Sequence, residues 1–98
     1  MSYPVIFEKQ AESDIQQAID YYDRQQVGLG EKFWLSVQKH IASIGKNPFF
    51  QIRYGEIRCL PVTKFPFMIH FLIDEKVKIV YILSVFHTSQ NPDKWPGV

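Results

Sequence analysis

The spacing of apolar residues changes once along this 98-residue chain, close to Pro48. Before that proline, apolar side chains recur every three or four residues, which is typical of one face of an amphipathic helix. After it, runs rich in Ile, Val, Phe and Tyr are separated by turn-forming residues, which is typical of strands. The pattern predicts a strand at residues 3–7, helices at 8–26 and 29–44, and strands at 51–62, 65–73 and 77–86.

This order of elements predicts one α+β domain over residues 1–98, with a β-αα-βββ arrangement. The segment Val27–Gly30 is long enough only to reverse the chain, so we expect a helical hairpin packed on one face of a mostly antiparallel sheet. Pro4 restricts the first strand to an edge of that sheet. The last predicted strand is apolar at almost every position, which indicates an interior strand covered on both faces.

The charges and the single cysteine exclude several classes of protein. Eleven Lys and Arg residues against ten Asp and Glu residues give a formal net charge of +1, so no overall field attracts nucleic acid or a membrane surface. Cys59 stands alone, which excludes an intrachain disulfide and a cysteine-rich zinc site and suits a reducing compartment. The sequence shows neither a leader-like start nor a long apolar run. We therefore predict a cytoplasmic protein without a membrane partner.

The three histidines do not form a metal-binding pattern. His40, His70 and His87 fall on different predicted elements, and none has a partner at metal-ligand spacing. A glycine-rich phosphate loop is also missing, because Gly28 and Gly30 follow a helix rather than a strand. We predict no metal and no cofactor. His40 is expected near the C-terminal end of its helix, where a partly charged imidazole interacts favourably with the helix dipole. His70 is expected to be a packed or solvated strand residue.

Three side chains near strand ends are candidate catalytic residues: Arg58, Lys64 and His87. Arginine and lysine can hold a phosphate, and histidine can act as a general acid. Solvated charges at a strand edge are the alternative interpretation. We expect the three to lie together at one end of the sheet. A cationic cluster beside an aromatic-rich sheet could bind a phosphate backbone or an acidic peptide.

Several short motifs occur in a characteristic order along nearly the whole chain. Together they resemble the RelE/ParE toxin superfamily of type II toxin–antitoxin systems. The motifs are Tyr21-Tyr22, Gly28-Leu29-Gly30 with Phe33, Asn47-Pro48, Ile57-Arg58, Lys64-Phe65-Pro66-Phe67 with Ile69, and Val85-Phe86-His87 with Asn91, Pro92 and Trp95.

The resemblance implies two alternative activities. Ribonuclease members of the superfamily cleave mRNA on the ribosome with several Lys and Arg residues, often together with a C-terminal Tyr or His, whereas ParE-like members poison DNA gyrase. The Phe65-Pro66-Phe67 run and the spacing from His87 to Trp95 resemble the ParE-like branch. Many relatives carry arginines after the position of His87, but here residues 88–90 are Thr, Ser and Gln.

We therefore predict a ParE-like toxin that inhibits growth through DNA gyrase. The first alternative is a RelE-like mRNA endoribonuclease in which His87 is the general acid and Arg58 and Lys64 hold phosphate. The second is a non-toxic interaction module that keeps the fold.

The resemblance also implies a cognate antitoxin whose C-terminal segment folds on the toxin. Tyr21 and Trp34 are expected to contribute to this contact, with ordinary packing inside the hairpin as the alternative. Arg58 and Lys64 are candidates for target or antitoxin binding. Trp95 is expected either to hold the tail on the core or to contact the target.

Overall fold

Two helices pack against one face of a five-stranded sheet in the computed structural model, which describes residues 2–88. The predicted α+β arrangement with a helical hairpin is confirmed, and the helices begin and end within two residues of the predicted bounds. The elements are β1 (Val5–Phe7), α1 (Lys9–Gln25), α2 (Leu29–Lys46), β2 (Ile52–Tyr54), β3 (Ile57–Pro61), β4 (Phe67–Asp74) and β5 (Ile79–His87).

The strands lie in the order β1-β5-β4-β3-β2. The first strand is at an edge, as Pro4 predicts, and the last lies between β1 and β4. β1 pairs with β5 in parallel, and the other neighbours are antiparallel. The helical hairpin carries the chain across one face of the sheet, from β1 at one edge to β2 at the opposite edge. The antiparallel strands β3 and β4 then return the chain to β5, beside β1.

The prediction of a single strand over 51–62 is wrong. Gly55 and Glu56 form a two-residue turn between β2 and β3, which pair antiparallel with Tyr54 opposite Ile57. Gly55 has a φ of 53°, a left-handed conformation that glycine adopts without steric cost and that tight hairpins require. Residues 2–88 therefore form four strands after the helices rather than three.

Two glycines shape the turn between the helices in different ways. Gly28 has a φ of 88° and ends the reversal between α1 and α2. Gly30 allows close packing, because a Cβ there would lie 2.5 Å from the Ile19 carbonyl oxygen and 2.7 Å from Asp23 Oδ1. The Gly30 N–H donates a hydrogen bond to that same Asp23 oxygen, 2.9 Å away. The start of α2 is thereby fixed against the end of α1.

The core lies between the hairpin and the sheet. Phe33 of α2 is fully buried at its centre, with Tyr22, Phe65 and Phe67 packed around it at ring-centroid distances between 5.0 and 5.5 Å. These rings join both helices to the turn between β3 and β4. The other buried core residues are Ala11, Ile15, Ala18, Val37, Ile44, Val62, Ile69, Phe71, Ile73, Val80, Ile82 and Val85.

Candidate functional site

A cleft of about 210 Å³ opens between α1 and the C-terminal end of β5. It contains two of the residues that the sequence indicated, Tyr21 and His87. Its walls are formed by Asp14, Gln17, Ala18, Tyr21, Phe67, Val85 and His87.

A β-bulge in β5 directs His87 into this cleft. His70 pairs with Ser84 but the next residue, Phe71, pairs with Ile82, so Leu83 is an extra residue. The extra residue shifts the alternation of side chains by one position. His87 therefore pairs with Phe67 and lies on the helix-covered face of the sheet, with the two ring centroids 5.2 Å apart.

Asp14 joins α1 to the edge of β5. β1 ends opposite Ile82, so the following part of this edge has no strand beside it within the described residues. The Val85 N–H instead donates a hydrogen bond to Asp14 Oδ2 at 3.1 Å, and Gln10 Nε2 donates one to Oδ1 at 2.8 Å. Burial raises the pKa of the Asp14 carboxyl, while the two hydrogen bonds act in the opposite direction.

Tyr21 lies at the rim of the cleft with 51% of its surface exposed. Its ring contacts Tyr22 edge-on, with the centroids 5.3 Å apart. Tyr21 is thus available at the surface, whereas Tyr22 packs against the core. A role for Tyr21 in partner contact remains a prediction.

Lys64 lies at the same end of the sheet as His87. The turn that carries it leads directly into Phe67, which pairs with His87. Lys64 is exposed and has a φ of 71°, and the turn is closed by the Val62 N–H, which donates to the Phe67 carbonyl oxygen at 2.9 Å. Lys64 is therefore displayed by a tight turn.

Arg58 lies apart from this pair, so the expected cluster of three is wrong. It pairs with Phe71, four residues along β4 from Phe67, which corresponds to about 13 Å along the strand. Its Nε donates a hydrogen bond to the Phe50 carbonyl oxygen at 2.7 Å, and its guanidinium lies 5.6 Å from the centroid of the Phe49 ring. The strand register separates Arg58 from Lys64 and His87 and engages it with the loop after α2.

Trp34 is half-buried and packs against the core. It also lines a second groove, of about 380 Å³, between β1 and the two helices. A role for Trp34 in partner contact remains a prediction. Trp95 lies outside the described residues. The groove is formed by Phe7, Glu12, Ile15, Gln16, Ile19 and Trp34.

His40 has a different role from the one expected. Its Nε2 accepts a hydrogen bond from the Thr63 N–H at 3.0 Å and lies 2.9 Å from the Thr63 hydroxyl. Burial, together with the nearby charge of Lys39, lowers the pKa of His40. A neutral ring that accepts at Nε2 cannot be the cation expected at the helix end. His40 and Ser36, which donates to the Thr63 carbonyl oxygen at 3.0 Å, hold the turn that displays Lys64.

His70 is a packed strand residue, as predicted, on the face opposite the helices. Its Nδ1 lies 2.9 Å from the Tyr54 hydroxyl and 3.4 Å from Cys59 Sγ. Burial lowers the pKa of His70 to about 4, and it raises the pKa of Cys59 to about 11 and that of Tyr54 to about 12. All three are neutral near pH 7, so Cys59 is not an activated nucleophile.

Residues 2–88 contain no group of three or more His, Cys, Asp or Glu side chains that could hold a metal ion. In the same part of the chain, neither helix is long and apolar enough to cross a membrane.

Comparison with known proteins adds a family match. The family model that describes the ParE toxin of the type II toxin–antitoxin system parDE matches residues 5–92, which is nearly the whole chain. None of the curated proteins compared with the chain matches it.

Several solved structures share the fold. A chain of the chromosomal ParDE system from P. aeruginosa has a TM-score of 0.78 at 14% identity, covering 90% of this chain and 98% of that chain. A chain of the intact E. coli RelBE complex has a TM-score of 0.70 at 12% identity, covering 91% and 100%. A chain of the M. tuberculosis RelBE2 complex has a TM-score of 0.64 at 17% identity, covering 89% and 99%. The TM-scores show a shared architecture, and at identities this low the likeness shows the architecture alone.

Proposed function

We propose that this chain, which belongs to the ParE toxin family of type II toxin–antitoxin systems, inhibits growth by acting on DNA gyrase. The observation that carries the choice of target is the separation of the candidate catalytic residues. Arg58 lies about 13 Å along the sheet from the end that carries Lys64 and His87, and it is engaged with the loop after α2.

RNA cleavage needs several groups around one phosphate. A base must take the 2′-hydroxyl proton, and cations must stabilise the charge that develops on the phosphate. Here His87 shares its cleft with the carboxylate-bearing Asp14, which would repel a phosphodiester. Thr88 follows His87 where many relatives carry an arginine. This arrangement favours a gyrase inhibitor over a ribonuclease.

The second candidate function is that of a RelE-like mRNA endoribonuclease. One observation favours it, because Lys64 and His87 lie at the same end of the sheet. In that reaction His87 would serve as general acid and Lys64 would hold the phosphate. The third candidate, a non-toxic interaction module that keeps the fold, requires no such chemistry.

We further propose a cognate antitoxin as the partner of this chain. Two of the structures that share the fold are RelBE and RelBE2 toxin–antitoxin complexes. The groove beside Trp34 and the exposed ring of Tyr21 lie on the helical hairpin, where an antitoxin segment that folds on binding could bury apolar surface.

Controlled expression of the chain alone tests this proposal. Growth, plasmid supercoiling and the ends of cellular transcripts would be followed after induction. Growth arrest with relaxed or broken DNA supports the gyrase function. Arrest with cut transcripts and normal supercoiling overturns it in favour of the ribonuclease, and undiminished growth overturns both in favour of the non-toxic module.

A further inference from the structure

We propose that the cleft between α1 and β5 is a binding site for an arginine side chain of a partner polypeptide. This inference goes beyond the proposed function, since it holds whichever molecule the toxin acts on. It rests on three properties of the cleft: an incompletely neutralised carboxylate, aromatic walls and a volume that suits one side chain.

The carboxylate belongs to Asp14. Its hydrogen bonds within residues 2–88 come from two neutral donors, the Val85 N–H and the Gln10 side-chain amide. An ionised carboxylate has about four acceptor positions, so two remain for another donor. A half-buried negative charge whose partners among the described residues are both neutral is costly, and a guanidinium would offset that cost with charge-assisted hydrogen bonds.

The walls of the cleft favour a flat cation. Tyr21, Phe67 and His87 place aromatic rings around the space beside Asp14. Aromatic faces attract cations within about 6 Å, and the planar guanidinium also stacks on them. An ammonium group is more strongly hydrated and cannot fork onto both carboxylate oxygens, so arginine is favoured over lysine.

The size of the cleft limits the ligand. Its volume of about 210 Å³ lies below the range of about 300–1,000 Å³ that is usual for sites that hold small molecules or cofactors. A single long side chain fits a space of this size. The cleft therefore suits a side chain presented by another protein chain.

Nα-acetyl-arginine amide is a direct probe of this site. Titrated into the isotope-labelled full chain, it should shift the backbone amide signal of Val85 and the ring signals of Tyr21 and His87 in a saturable way. Nα-acetyl-citrulline amide, which has nearly the same shape without the charge, should produce at least tenfold weaker binding. Equal binding of the two probes, or arginine-induced shifts that avoid the cleft, would overturn the proposal.

Two isosteric variants localise the effect. Asp14→Asn keeps an oxygen that can accept from the Val85 N–H but removes the charge, and it should weaken binding of the arginine probe at least tenfold. Asp20→Asn is the matched control, because Asp20 also lies on α1 and accepts a hydrogen bond from a glutamine four residues earlier, at 3.0 Å. It should bind like the unsubstituted chain. Unchanged affinity in Asp14→Asn would contradict the proposal.

A third variant keeps the test decisive if Asp14→Asn does not fold. Tyr21→Ala removes an exposed ring from the rim and should weaken binding about threefold, in line with an exposed cation–π contact. Unchanged affinity in that variant would also contradict the proposal. The titration does not use gyrase, ribosomes or growth, so failure of the arginine site and failure of the proposed function are separate results.

Discussion

Arg58 Nε donates a hydrogen bond to the carbonyl oxygen of Phe50, 2.7 Å away. Because the same guanidinium lies over the Phe49 ring, Arg58 fixes the loop that connects α2 to β2. Arg58, which the sequence indicates as a candidate site residue, thus stabilises the fold through these two contacts.

Replacement of Arg58 should therefore reduce stability. We expect Arg58→Ala to lower the free energy of unfolding by about 2 kcal/mol, because a hydrogen bond from a charged donor and a cation–π contact are lost. Urea denaturation followed by circular dichroism measures this change. Arg24→Ala, at an exposed position in the last turn of α1, is the control and should change stability by only a few tenths of a kcal/mol. Equal effects of the two substitutions would contradict the structural role.

Lys64 should contribute to toxicity rather than to stability. It is exposed on the β3–β4 turn, and loss of its charge should weaken target binding about fivefold, as expected for a contact of about 1 kcal/mol. The inducer concentration that arrests growth should rise for Lys64→Ala. Lys78→Ala is a closely matched control, because Lys78 is also exposed and has a positive φ, but lies in the turn at the other end of β4. Equal toxicity of the two variants would exclude Lys64 from the binding surface.

The two glycines of the interhelical turn should differ in their tolerance of alanine. We expect Gly30→Ala to cost about 2–3 kcal/mol, because its Cβ would overlap the Ile19 carbonyl oxygen and force the helices apart. Gly28→Ala meets no nearby atom and should cost about 1 kcal/mol, since only the left-handed backbone conformation opposes it. Thermal unfolding of the two variants checks the order, and a larger loss for Gly28→Ala would show that close packing is not the reason for Gly30.

Stability should fall on acidification because His70 is buried in its neutral form. Its pKa is about 4 in the folded chain against an ordinary value of 6.5, so the unfolded chain takes up a proton first as the pH falls. The contribution of neutral His70 to the free energy of unfolding is complete above about pH 7 and is lost as the pH falls toward 4. The difference between the two pKa values corresponds to about 3 kcal/mol.

His70→Asn isolates this effect from other titrating groups. The asparagine side-chain amide can still form a hydrogen bond with the Tyr54 hydroxyl, which lies 2.9 Å from His70 Nδ1. Unfolding free energies measured between pH 7 and 4 should fall less steeply for this variant than for the unsubstituted chain. Parallel pH profiles would contradict neutral burial of His70.

The elements could be predicted from the sequence because their signals are local. The helical period before Pro48 and the strand-forming runs after it depend only on neighbouring residues. The split of the 51–62 segment is harder to predict: Tyr54-Gly55 is a turn-like break in the sequence, but the strand before it, β2, has only three residues and is too short to stand out as a separate run.

The site was harder to predict because it depends on pairing between distant residues. The hydrogen bond from Val85 to Asp14 spans 71 positions, and no pattern around Asp14 indicates it. The bulge at Leu83 moves His87 to the helix-covered face, which simple alternation along the strand does not reveal. The same dependence on register explains why the sequence does not separate Arg58 from His87.

The most direct test of the central claim is the supercoiling of relaxed plasmid by purified DNA gyrase in the presence of the purified chain. We predict that increasing amounts of the chain will block supercoiling or produce cleaved plasmid, and that Lys78→Ala will act like the unsubstituted chain. Normal supercoiling at a large excess of folded chain, together with cleavage of mRNA on isolated ribosomes, would contradict the account.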